Sequence, residues 1–222
     1  MSRRRSGSRS SCGDWIQLAV ALCRSVDVAV RIGSGRLVLV SMPLRLPRLE
    51  DTRVVLRAFR DDDVPLIQDT AADPLIPLIT SVPTTSEPEE AQAFIDRQHA
   101  RLTSGEGYSF AIADSGTDEA VGQIGLWLRD LRQGRASIGY WVAGRHRRRG
   151  LARHALRVVS QWGLTLSDVH RLELYIEPWN RGSWRAAERV GYQREGLLRS
   201  WQPVGDQRRD MYMYSMLPAD CP

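Results

Sequence analysis

The stretch from Ile138 to Ala152, IGYWVAGRHRRRGLA, holds the residues best spaced for chemistry. A strand-like run ends, a short arginine-rich loop follows, and an amphipathic helix begins. Successive backbone N–H groups at a helix start point one way, and the helix dipole adds positive potential there. Gly150 lets the backbone approach a bound group closely, and Leu151 anchors the helix to a core. The flanking arginines neutralise charge and hydrogen-bond phosphate oxygens. The chemistry so assembled is anion binding, above all of a phosphate. Five arginines between 145 and 153 would also suit a solvated basic loop. The position at a strand-to-helix switch favours a site.

Composition removes several other chemistries. The chain has 222 residues and 31 Lys+Arg against 26 Asp+Glu, a net charge of +5. None of the 31 is lysine, so Schiff-base chemistry and a P-loop lysine are both excluded. Cys12, Cys23 and Cys221 form neither a disulfide framework nor a metal motif, and a reducing cytoplasm is the expected compartment. His99, His146, His154 and His170 form no HExxH pattern, so no catalytic metal is expected. The charge is segregated, net +8 over 1–60, −11 over 61–120 and +8 over 121–222.

Apolar periodicity supplies the elements that must position the loop. Thr52–Phe59 reads as a strand, and Asp61–Asp63 opens a short helix. Three prolines make 73–85 a loop. Ser86-Glu87-Pro88-Glu89 has the capping-box form, ahead of a helical stripe through Ala91, Phe94, Ile95, Gln98 and Leu102. Strands follow at Tyr108–Ala113, Val121–Arg129 and Ala136–Ala143. Leu151, Ala155, Val158, Val159 and Trp162 form the next helical stripe. Arg171–Glu177 is a strand, Gly182–Val190 a helix, and Tyr192–Val204 with Arg208–Leu217 a closing hairpin. The order β-α-α-β-β-β-α-β-α-β-β is a mixed α/β layout with a central antiparallel run.

Arg147-Arg148-Arg149-Gly150-Leu151-Ala152 resembles the R/Q-x-x-G-x-G/A pyrophosphate loop of the GCN5-related N-acetyltransferase (GNAT) family. IGYWV resembles that family's fourth strand. Asn180-Arg181-Gly182-Ser183 with Gly191-Tyr192 is similar to its N-x-x-S…G-F/Y segment. Glu195–Arg199, Asp210–Leu217 and Thr52–Arg57 resemble elements of its RimJ/RimL-like branch. The resemblance covers about residues 48–217. It implies a mostly antiparallel central sheet with helices on both faces and strands four and five splayed apart.

The resemblance also implies acetyl-CoA as co-substrate, held in the gap between those strands. The backbone of Tyr140, Trp141 and Val142 would pair with the pantetheine and polarise the thioester. The loop Arg147, Arg148, Arg149, Gly150, Leu151 and Ala152 would hold the pyrophosphate. Asn180 would bond the pantetheine arm, and Ser183 would stand near the sulfur as the catalytic donor. Many members carry a tyrosine seven residues after the Asn; here that position is Ala187. Carboxylates common elsewhere in the family are replaced by Ser137 and Gln202, which leaves Glu177 as the candidate base, acting through water.

An α-amine titrates at about 7.7–8.0 and needs less help than a lysine side chain at about 10.4. A protein N-terminal amine is therefore the expected acceptor, with a small amine such as an aminoglycoside or polyamine as the alternative. A non-catalytic acyl-CoA-binding module and a basic nucleic-acid-binding protein are the readings of another class. Tryptophans 127, 141, 179, 184 and 201 fit packing or groove positions better than base stacking, so no nucleic-acid partner is expected. No membrane partner is expected either, and the assembly is a monomer or homodimer. The acidic 61–120 segment is expected on the acceptor side, drawing in a cation.

Residues 1–45 read as a disordered extension, 46–218 as the acetyltransferase domain and 219–222 as a tail. Met1–Ser11 is Arg/Ser/Gly-rich. Trp15–Cys23 is apolar but too short to span a membrane, and no clean cleavage site follows it. Met42-Pro43 is a candidate true start.

Overall fold

The computed structural model of the chain describes residues 27–32, 36–41 and 45–221. The expectations for Met1–Ser11, Trp15–Cys23 and Met42-Pro43 lie outside the described residues. Asp27–Ile32 and Arg36–Ser41 pair as an antiparallel hairpin, Asp27 opposite Ser41. The sequence reading of 1–45 did not anticipate these strands. The hairpin belongs to one compact unit, and a second begins at Arg48.

The second unit is built on an eight-stranded sheet. A two-residue strand, Leu49–Glu50, lies at one edge. Then come β1 (Val54–Arg57), β2 (Gly107–Asp114), β3 (Ala120–Trp127), β4 (Arg135–Val142) and β5 (Arg171–Ile176). The closing hairpin, β6 (Gln193–Val204) and β7 (Gln207–Met216), places β7 beside β5 and β6 at the far edge. Every pairing is antiparallel except β4 with β5.

Four helices cover the sheet: α1 (Val64–Ala71), α2 (Pro88–Thr103), α3 (Leu151–Gly163) and α4 (Arg181–Val190). Successive strand residues face opposite sides, and β2 shows both. Ala111 joins Phe94 and Ile95 of α2 and Leu66 and Ile67 of α1 in one buried cluster. Its neighbour Phe110 meets Trp162 of α3 edge-on, with ring centroids 5.7 Å apart.

Three local expectations need correction. Ser86 does not cap α2: its N-cap is Glu87, with no side-chain bond, and Pro88 supplies the pre-set first turn. The proline-rich 73–85 segment contains a one-turn helix, Ile76–Ile79. It forms because the Asp73 carboxylate accepts the Leu75 and Ile76 N–H groups at 3.0 and 3.1 Å. The acids of 61–120 are not all free to face an acceptor. Asp69 binds Arg145 at 2.8 Å, Asp73 binds Arg147 at 2.6 Å and Asp114 binds Arg149 at 2.7 Å. The oppositely charged segments of the sequence neutralise one another across the fold.

Acid sensitivity follows from the carboxylates. Arg171 grips Glu195 with two bonds and Ser215 adds a third, which hold Glu195 at about 2. Burial works to raise Asp51, but the Arg53 N–H, Arg157 and His154 outweigh it and leave it at about 2. Both lie below ordinary carboxylate values near 4, so the unfolded chain binds more protons on the way down. Their stabilisation is complete above pH ~4 and lost as pH falls toward 2. Urea midpoints should drop steeply between pH 4 and 2.5. A level midpoint down to 2.5 would remove these two groups as acid-sensitive clamps.

Candidate active site

The site begins where β4 and β5 part. Their pairing runs only from Arg135/Arg171 to Ser137/Glu173. Beyond it, β4 continues to Val142 with no strand paired on its β5 side. The Ala143 N–H bonds the Val121 carbonyl at 3.0 Å, which fixes the parity of the β3–β4 ladder. Trp141 and Ala143 turn their backbone groups to β3, whereas Tyr140 and Val142 turn theirs into the gap. The Val142 carbonyl accordingly accepts from Arg147 Nε at 3.0 Å.

This divides the predicted strand residues. Tyr140 and Val142 offer backbone donors to a ligand. Trp141 does not, because its N–H and C=O are committed to the ladder. Its indole N–H donates instead to Gln123 at 2.8 Å, within a buried network joining Gln98 and Ser109. Trp141 thus ties β4 to β3 and α2.

The gap opens into a cleft of about 530 Å³. Its walls include Tyr140, Glu177, Asn180 and Ser183, together with Trp127 and Trp201. Asn180 caps α4, its side-chain oxygen accepting the Ser183 N–H at 3.2 Å. That bond leaves the Asn180 amide hydrogens to donate elsewhere. Glu177 is 8% exposed, and its carboxylate stands 3.8 Å from Arg209 Nε. It therefore belongs to the cleft wall and is no solvent-facing strand end. Ser137 and Gln202 also line the cleft, while Ala187 is fully buried in α4.

The loop before α3 forms the other part. Arg148 has φ +62° and Gly150 φ +79°, the left-handed turns that make a concave row of N–H groups. Among the described residues, none of the backbone N–H groups of Arg148 to Ala152 has a partner. A Cβ on Gly150 would meet nothing within 4 Å, so the space before the row is open. Leu151, 2% exposed, pins the helix start to the core. Arg147 and Arg149 are paired with Asp73 and Asp114. Arg148 is exposed and makes no ion pair among the described residues. This donor set suits an anion with several oxygens.

One functional group was missed by the sequence reading. The Tyr140 hydroxyl reaches across the gap to Ser183 Oγ at 2.7 Å. Burial pushes its phenol up to about 12, so it stays protonated at neutral pH. The strand pattern marked the Tyr140 backbone; only the tertiary approach of α4 reveals the hydroxyl.

Comparisons with known proteins agree with this geometry. Residues 53–193 match the family model described as an acetyltransferase (GNAT) domain. The uncharacterized N-acetyltransferase p20 of Bacillus licheniformis is 28% identical over 165 residues, covering 74% of this chain and 93% of that protein. RimJ of Mycobacterium smegmatis, solved in complex with CoA-disulfide, superposes with a TM-score of 0.67 at 25% identity. The match covers 81% of this chain and 90% of that one. The ribosomal α-N-protein acetyltransferase RimL, solved with coenzyme A, has a TM-score of 0.66 at 17% identity, over 77% and 98% of the two chains. No helix of the described residues is long and apolar enough to cross a membrane. With parted strands, an open row of loop donors and this family match, the chain belongs to the GNAT acetyltransferase family and is an N-acetyltransferase.

Proposed function

We propose that the protein moves the acetyl group of acetyl-CoA to the α-amine of a protein N-terminus. Acetyl-CoA supplies the acetyl group as an activated thioester. The N–H row of Arg148 to Ala152 receives the pyrophosphate, and the free Arg148 guanidinium adds charge. The outward N–H groups of Tyr140 and Val142 hold the pantetheine side and polarise the carbonyl. The Asn180 amide donates to the same arm. Ser183 stands by the sulfur and donates a hydrogen bond to the charge that develops there. Glu177 takes the amine's proton through water.

The observation that carries the acceptor reading is the cleft's sparse set of bases. Its lining holds two carboxylates, Asp130 and Glu177, and no histidine. An amine that titrates at about 7.7–8.0 is already partly neutral at pH 7 and suits such a site. The likeness to RimJ and RimL supports the same class.

The test is a panel of unblocked peptides, aminoglycosides and polyamines, followed by CoA release. Peptides should react in the α-amine form and fail when N-terminally blocked. Turnover of small amines alone would overturn the peptide reading. Binding of acetyl-CoA without turnover on any amine would leave only an acyl-CoA-binding module. In the same assay Ser183→Ala should lower kcat by about 10- to 100-fold, with acetyl-CoA affinity within about twofold.

A further inference from the structure

Ser183 is fixed at its backbone but not, by that alone, at its hydroxyl. Its N–H lies 3.2 Å from Asn180 Oδ1 and 3.1 Å from the Asn180 carbonyl. The hydroxyl has one close side-chain neighbour, Tyr140 Oη, at 2.7 Å. Tyr140 Oη also lies 3.3 Å from the Ser183 carbonyl. A phenol has one proton to give, and either oxygen of the 2.7 Å pair can be the donor. With that proton on the Tyr140–Ser183 bond, the serine O–H is left to point into the gap.

We propose that Tyr140 is a positioning residue that holds the Ser183 hydroxyl as a hydrogen-bond donor to the sulfur of the departing thiolate. The proposal rests on the placement of Ser183 beside the sulfur given above. It also accounts for Ala187. Helix α4 has no phenol at that position, and β4 brings one to the same serine from the opposite wall of the cleft.

The chemistry decides between donating a hydrogen bond and giving up a proton. As the amine lone pair attacks, a C–N bond forms, the C–S bond breaks and its electron pair goes to sulfur. A thiol titrates near 8.5. The Tyr140 phenol lies at about 12. Full transfer from phenol to thiolate runs uphill. The tyrosine and serine therefore keep their protons and stabilise the thiolate through two hydrogen bonds in series. The proton lost by nitrogen leaves by Glu177 and water, and sulfur is later protonated from solvent. The other charged groups facing the cleft are Glu177, with Arg209 near it, and Arg101, Arg129 and Asp130.

The experiment uses CoA itself as probe. CoA is bound to saturation by the unmodified protein, Tyr140→Phe, Ser183→Ala and the double variant. The ultraviolet absorbance of the thiolate is then titrated with pH. The unmodified protein should hold the bound thiol below its free value. Tyr140→Phe should raise it by about one unit, and lower kcat about tenfold, with the KM for acetyl-CoA within twofold. In the Ser183→Ala background the same change should have no further effect on either reading. Losses that add in the double variant, or a thiol pKa unmoved by Tyr140→Phe, would overturn the proposal. A Ser183→Ala variant that moves neither reading, beside an active Tyr140→Phe effect, would also overturn it, because the tyrosine would then act directly. If the unmodified protein binds no CoA, the functional reading falls and this one with it. If CoA binds and the losses add, only the tyrosine proposal falls.

Discussion

Gly150→Trp is expected to raise the Kd for CoA on the order of 100-fold, about 2.7 kcal/mol, with the fold retained. The two effects separate because a Cβ there meets nothing within 4 Å. The Cβ displaces no neighbour and stands beside the open N–H row. The residue keeps φ +79°, which costs a side-chain-bearing residue about 1–2 kcal/mol. Calorimetry with CoA reads the affinity, and a thermal melt reads the stability. Gly150→Ala gives the backbone cost alone, with most of the affinity kept. Unchanged CoA affinity in the tryptophan variant would end the assignment of this loop to the pyrophosphate.

The second large effect lies away from the cleft. Asp63→Ala should destabilise the protein by about 3–5 kcal/mol, read as a lower urea midpoint. Arg57 of β1 and Asp63, in the turn before α1, are both 5% exposed. They meet through two bonds, Nη1 to Oδ2 at 2.8 Å and Nη2 to Oδ1 at 3.0 Å. Asp63 Oδ2 also accepts the Arg60 N–H at 2.9 Å. Removing the carboxylate leaves a buried guanidinium with only Asp118 and the Ala58 carbonyl as partners. Asp63→Asn, which keeps one acceptor, should lose less. A cost below about 1 kcal/mol for the alanine would mean that water reaches Arg57 freely.

The sequence was most legible where a local period sets the outcome. The α3 stripe of Leu151, Ala155, Val158, Val159 and Trp162 is buried as read. The three central strands lie within one or two residues of their expected bounds. Gly150 could be singled out because a glycine at a strand-to-helix switch lets the backbone approach a bound group closely. What could not be read is what depends on distant partners. The arginine loop looked like free positive charge, but the partners of Arg145 and Arg147 lie more than seventy residues earlier. Trp141 and Tyr140 are adjacent in sequence, and only the ladder parity tells that one faces β3 and the other the gap. The missing tyrosine at position 187 looked like a lost acid, since α4 alone was in view. A hydroxyl arriving from β4 leaves no mark on the spacing within α4.

Asp73 ties the two ends of the reaction together. One of its oxygens caps the one-turn helix whose last residue, Ile79, lines the cleft, and the other holds Arg147. An anion that draws Arg147 away changes the charge balance of the group that keeps that helix wound. In the proposed function, the two substrates then bind with linked free energies rather than independently. Linkage is reciprocal, so whatever acetyl-CoA does to acceptor affinity, the acceptor does equally to acetyl-CoA. Any such linkage would pass through one carboxylate.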